Sequence, residues 1–250
     1  MNNFTKRALT ALVFVVVLIS CIAYNHYTFS LLFLFFTLVG TWEFYSISVL
    51  GENLPQKLYG LFLAFVIFAL CTLKSMELIS YLHFTLLIPL LYLVFVVELY
   101  RKNRNPFRNI AFTFLGLIYV ALPFSLLNFV STMTIMGTYE PRILIGILLI
   151  LWGSDTGAYL AGSKFGKTKL FERISPKKSW EGFVGGVLLS ATAAIVDSKL
   201  FTVLELKHWL VISVIIVAMG TLGDLVESLY KRSKNIKDSG TILPGHGGIL

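Results

Sequence analysis

Residues 209–232 read WLVISVIIVAMGTLGDLVESLYKR. No charge appears before Asp224, and residues 209–229 have the roughly 20-residue length that carries a helix across a bilayer core. On such a helix Asp224, Glu227, Ser228 and Lys231 fall at i, i+3, i+4 and i+7, which is one face. A stripe of two carboxylates ending in lysine can hold a divalent cation together with the phosphates that bridge to it; the other reading is an ion-paired stripe without metal. With oxygen donors nearby and no Cys or His cluster, Mg²⁺ suits the stripe better than Zn²⁺.

Working outward, the whole chain repeats the apolar pattern. It has 56% hydrophobic and 14% charged residues and a mean hydropathy of +0.80, against roughly 25% charged in soluble domains. Apolar runs recur at 8–24, 29–50, 58–73, 78–100, 110–130, 143–162, 182–196 and 209–229. The expected fold is therefore all-α, a polytopic membrane protein of about eight transmembrane helices. The third and seventh runs are short, which predicts tilted or partly re-entrant segments there.

Lys and Arg fix the orientation. With the N-terminus in the cytoplasm, 17 of the 21 basic residues fall in inside segments, leaving Lys74, Arg142, Lys199 and Lys207 outside, as the positive-inside rule requires. The net charge of +8 is thus mostly topology, and nucleic-acid binding is not read from it. Cys21 and Cys71 sit in apolar runs as inert thiols; Lys6, Arg7 and residues 18–21 also imitate a lipoprotein signal, but apolar spans continue downstream.

The polar residues are unevenly spread. Residues 1–140 read as a five-helix transmembrane scaffold, and 141–250 as a catalytic region of three helices with cytoplasmic loops. Inside the scaffold, Glu43 reads either as a group near a substrate headgroup or as a structural hydrogen-bonding residue. Glu98 is expected in a solvated interfacial pair with Arg101, and His83 at the interface. In the second region, WGSDTGAYLAG (152–162) places Asp155 among glycines and small hydroxyls, which implies close helix packing with the carboxylate turned to a polar interior or bonded to neighbouring hydroxyls. The run ISPKKSWEG (174–182) offers Ser175, Lys177, Lys178 and Ser179 to an anion, and Ser179 is placed to cap the seventh helix. Finally, 228–250 read SLYKRSKNIKDSGTILPGHGGIL, a density of charge and glycine suited to phosphate and a hard cation.

These stations resemble the phosphatidate cytidylyltransferases (CDP-diacylglycerol synthases). That family has Asp-Thr-x-Ala-Tyr-x-x-Gly, then Ser-Pro-Lys-Lys-Thr-Trp-Glu-Gly, then Ser-x-apolar-Lys-Arg followed by Lys-Asp and Pro-x-His-Gly-Gly. Ser179 and Tyr230 are the small departures. The family signature continues to Asp-Arg-x-Asp, whereas the sequence ends at Leu250, which leads to the expectation that this stretch alone is inactive or nearly so.

The resemblance implies synthesis of CDP-diacylglycerol and pyrophosphate from CTP and phosphatidate, in a multi-pass protein of the cell inner membrane with cytoplasmic catalytic loops. It implies catalytic roles for Asp224, Lys237, Asp238 and His246. Substrate contacts fall to Ser175, Lys177, Lys178, Ser179, Glu181, Ser228, Lys231 and Arg232. Asp155, Asp224, Glu227 and Asp238 would hold Mg²⁺, with a second cation left open, and a homodimer is implied. Two other readings stay open: a CTP-dependent lipid kinase of the polyprenol type, and a transporter or non-catalytic membrane protein.

Overall fold

A computed structural model describes residues 3–49, 54–133, 137–236, 240 and 248–249, with the backbone alone for 3–7. The chain is an all-α polytopic membrane protein. Among the described residues, seven helical stretches are long and apolar enough to cross a membrane, and the first helix adds the apolar segment Ala8–Tyr24. In order these are α1 (Asn3–Tyr24), α2 (His26–Val49), α3 (Lys57–Ser75), a 3₁₀ turn Tyr81–Leu86 leading into α4 (Leu87–Tyr100), α5 (Pro106–Gly116) joined through a π turn Leu117–Ala121 to α6 (Leu122–Val130), and α7 (Pro141–Phe165). Two strands, β1 (Lys169–Phe171) and β2 (Ser175–Ser179), then precede α8 (Trp180–Leu200) and α9 (Leu206–Ser233).

The apolar runs set the helices, and local chemistry sets their ends. Asn25 separates α1 from α2 because its carboxamide accepts from Thr28 N (2.9 Å), while the Thr28 hydroxyl donates back to Cys21 O (2.7 Å), so the chain reverses without leaving polar backbone bare. The runs expected to be short are complete helices of 19 and 21 residues. The apolar windows end early, but the helices continue through Lys74 and Ser75 in α3 and through Asp197, Ser198 and Lys199 in α8. Both α3 and α9 close with Schellman turns: Leu78 N donates to Leu73 O (2.9 Å) around Glu77 in left-handed geometry (φ 57°), and Ile236 N to Lys231 O (3.1 Å) around Asn235 (φ 55°). The π turn precedes Pro123, whose missing N–H and ring would otherwise break a regular ladder.

The chain forms two compact units, Met1–Tyr139 with Asp238–Leu250, and Glu140–Lys237. In the first, the ring of Tyr45 is fully buried and lies where Gly60 and Gly116 would otherwise carry a Cβ, and its hydroxyl donates to Thr113 O (2.8 Å). Asn128 accepts through its carboxamide oxygen from Ser30 and Thr72, both at 3.1 Å, linking three helices inside apolar surroundings. Glu98 corrects one expectation. It does pair with Arg101 (2.8 Å), but it is 3% exposed, not solvated, and also accepts from Gln56 (2.9 Å) and Asn109 (2.8 Å). Three donors make burial of that carboxylate tolerable. His83 is exposed in the 3₁₀ turn, and Cys71 is buried while Cys21 is partly so.

In the second unit α7 and α8 pack together through small residues. A Cβ on Gly157 would overlap the carbonyl of Gly185; one on Gly182 would lie 2.9 Å from Ala158 O, and one on Gly186 3.1 Å from Ser154 O. Backbone meets backbone here, which is how membrane helices gain dispersion contacts without a hydrophobic driving force. Towards the other end, Trp209 is fully buried against Ile150 and Ala194, its ring occupying the space above Gly146.

Candidate functional site

The close α7–α8 approach leaves a cavity of about 570 Å³ within the second unit, at the end nearest the hairpin. Asp155 and Ser154 reach it from α7, Ser175, Lys177, Lys178 and Ser179 from β2, and Gly220, Thr221 and Asp224 from α9. Apolar walls come from Leu151, Ala158, Phe183 and Ile216, with Tyr159 at the side. Three sequence stations separated by tens of residues therefore share one half-polar, half-apolar space. Such a lining suits a ligand with a charged head and an apolar remainder.

The hairpin explains how two consecutive lysines reach the same cavity. Regular strand alternation would send Lys177 and Lys178 to opposite faces. Here β1 pairs with β2 antiparallel through Lys169 with Ser179 and Phe171 with Ser175, and the register shifts between them. Such an irregularity re-aims side chains, and Pro176 sits within it, as prolines in strands do. Lys178 Nζ lies 2.8 Å from Asp224 Oδ2; the lysine side chain is half-buried and the aspartate exposed. A partly exposed pair of this kind contributes only about 1 kcal/mol, so an incoming phosphate can compete for the lysine at little cost to the fold.

Ser179 caps α8, as the sequence predicts: it is extended (φ −128°, ψ 158°) and its hydroxyl accepts from Gly182 N (3.1 Å). Ser179 and Gly182 both line the cavity, so the positive end of a 21-residue helix borders it. Asp155 is exposed on α7 and lines the cavity instead of being enclosed by its neighbouring hydroxyls.

The remaining residues singled out from sequence lie elsewhere. Glu181 is not on the cavity wall; its carboxylate accepts from the backbone N–H groups of Lys167 and Thr168, at 3.1 Å each, tying the α7–β1 connection to the start of α8. Glu227 lies one turn beyond Asp224 and pairs with Lys231. Ser228 is half-buried and Arg232 exposed, both on α9 outside the cavity lining. Lys237, Asp238 and His246 lie outside the described residues.

The donor set fits a hard cation in part. Asp155 and Asp224 are the carboxylates of the cavity lining; among the described residues no group of three or more His, Cys, Asp or Glu gathers to hold an ion. Two carboxylates are nevertheless the usual protein share for Mg²⁺, which keeps waters and takes its other ligands from substrate phosphates. Sequence reasoning missed Thr221, Tyr159 and Phe183. Thr221 was accessible, because it precedes Asp224 by three residues and shares its helical face. Gly220 and Gly223 have nothing within 4 Å of where a Cβ would sit, so packing does not demand them.

The comparisons with known proteins agree with one another. The family model described as "Cytidylyltransferase family" matches residues 5–250. The phosphatidate cytidylyltransferase of Staphylococcus epidermidis is 42% identical over 171 residues, covering 66% of this chain and 61% of that protein. Its namesake from Staphylococcus saprophyticus is 42% identical over 156 residues (60% and 55%), and that of Staphylococcus aureus strain COL 39% over 171 residues (66% and 61%). The matched region thus spans about three fifths of the length of these relatives. With its family model matched along almost its full length, the chain belongs to the cytidylyltransferase family.

Proposed function

We propose that the protein makes CDP-diacylglycerol from CTP and phosphatidate. A phosphate oxygen of phosphatidate attacks the α-phosphorus of CTP; that P–O bond forms as the bond to the β-phosphate breaks, and pyrophosphate leaves. Such a displacement asks the protein for positioning and charge neutralisation, with little covalent work of its own. The observation that carries this reading is the convergence of Asp155, Lys177, Lys178 and Asp224 on one half-apolar cavity. Relatives named phosphatidate cytidylyltransferase, at about 40% identity, support the choice of reaction.

In this scheme Lys177 and Lys178, with Ser175, Ser179 and the start of α8, receive phosphate oxygens. Asp155 and Asp224 are the groups that would hold Mg²⁺, with Glu227 and Asp238 by resemblance and a second cation left open. When bound, the ion would supply Lewis-acid charge stabilisation to the phosphates that the lysines receive. Ser228, Lys231 and Arg232, with Lys237 and His246 by resemblance, extend the anion-binding side, and Asp238 keeps the catalytic and metal-supporting role that the resemblance implies. Glu181 acts on the substrate indirectly by holding residues 167–168. The residues 1–140 serve as scaffold and 141–250 as the catalytic region of a homodimer, in the inner membrane with the catalytic loops cytoplasmic.

The test is steady-state kinetics of Lys177→Ala and Lys178→Ala with CTP and phosphatidate. Removing one charged phosphate contact should raise a substrate KM or lower kcat/KM by about tenfold or more. Unchanged kinetics in both variants would exclude this cavity as the phosphate site.

A further inference from the structure

Lys177 and Lys178 both line the cavity of the second unit, yet they are not equivalent. Lys178 is half-buried, and its Nζ donates to Asp224 Oδ2 at 2.8 Å. Lys177 is exposed and, among the described residues, enters no ion pair. Asp155 faces the same cavity from α7 and feels the charges of both Asp224 and Lys178. One ammonium therefore already offsets part of the negative charge that suits these two carboxylates to a hard cation. The lysine reaches across from a two-stranded hairpin on a flexible four-carbon stem, so it can turn to a new partner without disturbing α9.

We infer that Lys178 is an exchangeable counter-ion for Asp224: it holds a free divalent cation off the carboxylate and yields to one that arrives with a polyphosphate. In the exchange the lysine turns to a phosphate oxygen as the carboxylate turns to the cation, and both groups stay paired throughout. A free cation offers no such exchange, because it would leave the ammonium beside a divalent charge with no anion to receive it. Lys178 thus selects the complex of cation and polyphosphate over the bare ion, whereas Lys177 serves as a phosphate contact only. The inference deepens the proposed function and rests on its cation site.

The experiment measures binding, not turnover, on the 250-residue chain in detergent at fixed ionic strength. Mn²⁺, which takes the same carboxylate and water ligands as Mg²⁺, is titrated alone, with the free ion read by electron paramagnetic resonance. Affinities for Mg²⁺·tripolyphosphate and Mg²⁺·CTP are read by calorimetry, and melting temperature checks that each variant is folded. Removing the ammonium in Lys178→Met should tighten Mn²⁺ binding by about tenfold or more and weaken Mg²⁺·tripolyphosphate binding by about tenfold. Lys178→Arg keeps the charge and should hold Mn²⁺ affinity within about threefold of the parent. Lys177→Met should weaken tripolyphosphate binding yet also leave Mn²⁺ within about threefold. A lysine that only braced the hairpin would move both affinities down. Mn²⁺ binding that is unchanged or weaker in folded Lys178→Met overturns the inference, as does equal tightening in Lys177→Met. Tighter Mn²⁺ binding with parental tripolyphosphate affinity overturns it too, because the lysine then has no phosphate to turn to. Should Lys178→Met not fold, Lys178→Gln is read in the same way. A parent chain that shows these shifts with tripolyphosphate but does not bind Mg²⁺·CTP leaves the exchange intact and overturns the proposed function instead.

Discussion

The two units of this protein both seat a large ring over glycine, Tyr45 over Gly60 and Gly116 in the first and Trp209 over Gly146 in the second, but they treat their charged groups differently. The first surrounds buried Glu98 with Arg101, Gln56 and Asn109. The second brings backbone against backbone at Gly157 and Gly185 and keeps a cavity of about 570 Å³ with exposed charges on its walls. The contrast separates residues that hold the fold from residues kept at a cost. Satisfied buried polar groups stiffen a structure, whereas charges left open to a cavity contribute little to stability and need another reason to be there.

The largest effect should come from the cavity. In a chain that includes the Asp-Arg-x-Asp segment, Asp224→Asn should lower CDP-diacylglycerol synthesis by about a hundredfold or more, as loss of a metal-centred electrostatic contact does, with little change in melting. Near-parental turnover would remove Asp224 from the site. Next come two glycines of the second unit that should behave in opposite senses. Gly157→Val forces a side chain into the Gly185 carbonyl and should destabilise by about 1–3 kcal/mol or more, lowering the melting temperature in detergent. Gly220→Ala meets open space and should raise stability by up to about 1 kcal/mol while weakening substrate binding at the cavity wall. Equal destabilisation of both would erase the distinction between packing glycines and cavity glycines. The smallest effect belongs to the first unit: Tyr45→Phe removes one hydrogen bond and should cost about 1 kcal/mol, read by thermal melting, with kcat/KM intact. A large loss of activity there would show that the two units are not functionally separable in this way.

The spans were legible because an apolar run of bilayer length is seldom stable anywhere but in a membrane. Their ends were not, because they depend on capping, and Ser179 is the one cap read from the sequence. The hairpin 169–179 escaped reading: it is short, rich in Lys and Pro, and lacks strand alternation. The anion-binding stations were readable as residue types, since Asp155, the two lysines and Asp224 stand out in an apolar chain. What each carboxylate does depended on partners that sequence does not advertise. Glu98 finds Gln56 and Asn109, 42 and 11 residues away, and Glu43 finds Ile249, 206 residues away. Glu181 looked like a substrate contact, yet its partners are backbone amides, which carry no side-chain signal at all.

The central claim is that the cavity of the second unit serves transfer of a cytidylyl group to a phosphatidate headgroup. It is tested most directly by supplying the protein with phosphatidate, Mg²⁺ and CTP labelled separately at the α- and γ-phosphorus, and following both labels into lipid, beside Asp224→Asn. The account predicts α-label in lipid with γ-label leaving as pyrophosphate, and loss of both signals in the variant. Recovery of γ-label in lipid with release of CDP, or α-label transfer that Asp224→Asn leaves intact, would contradict it.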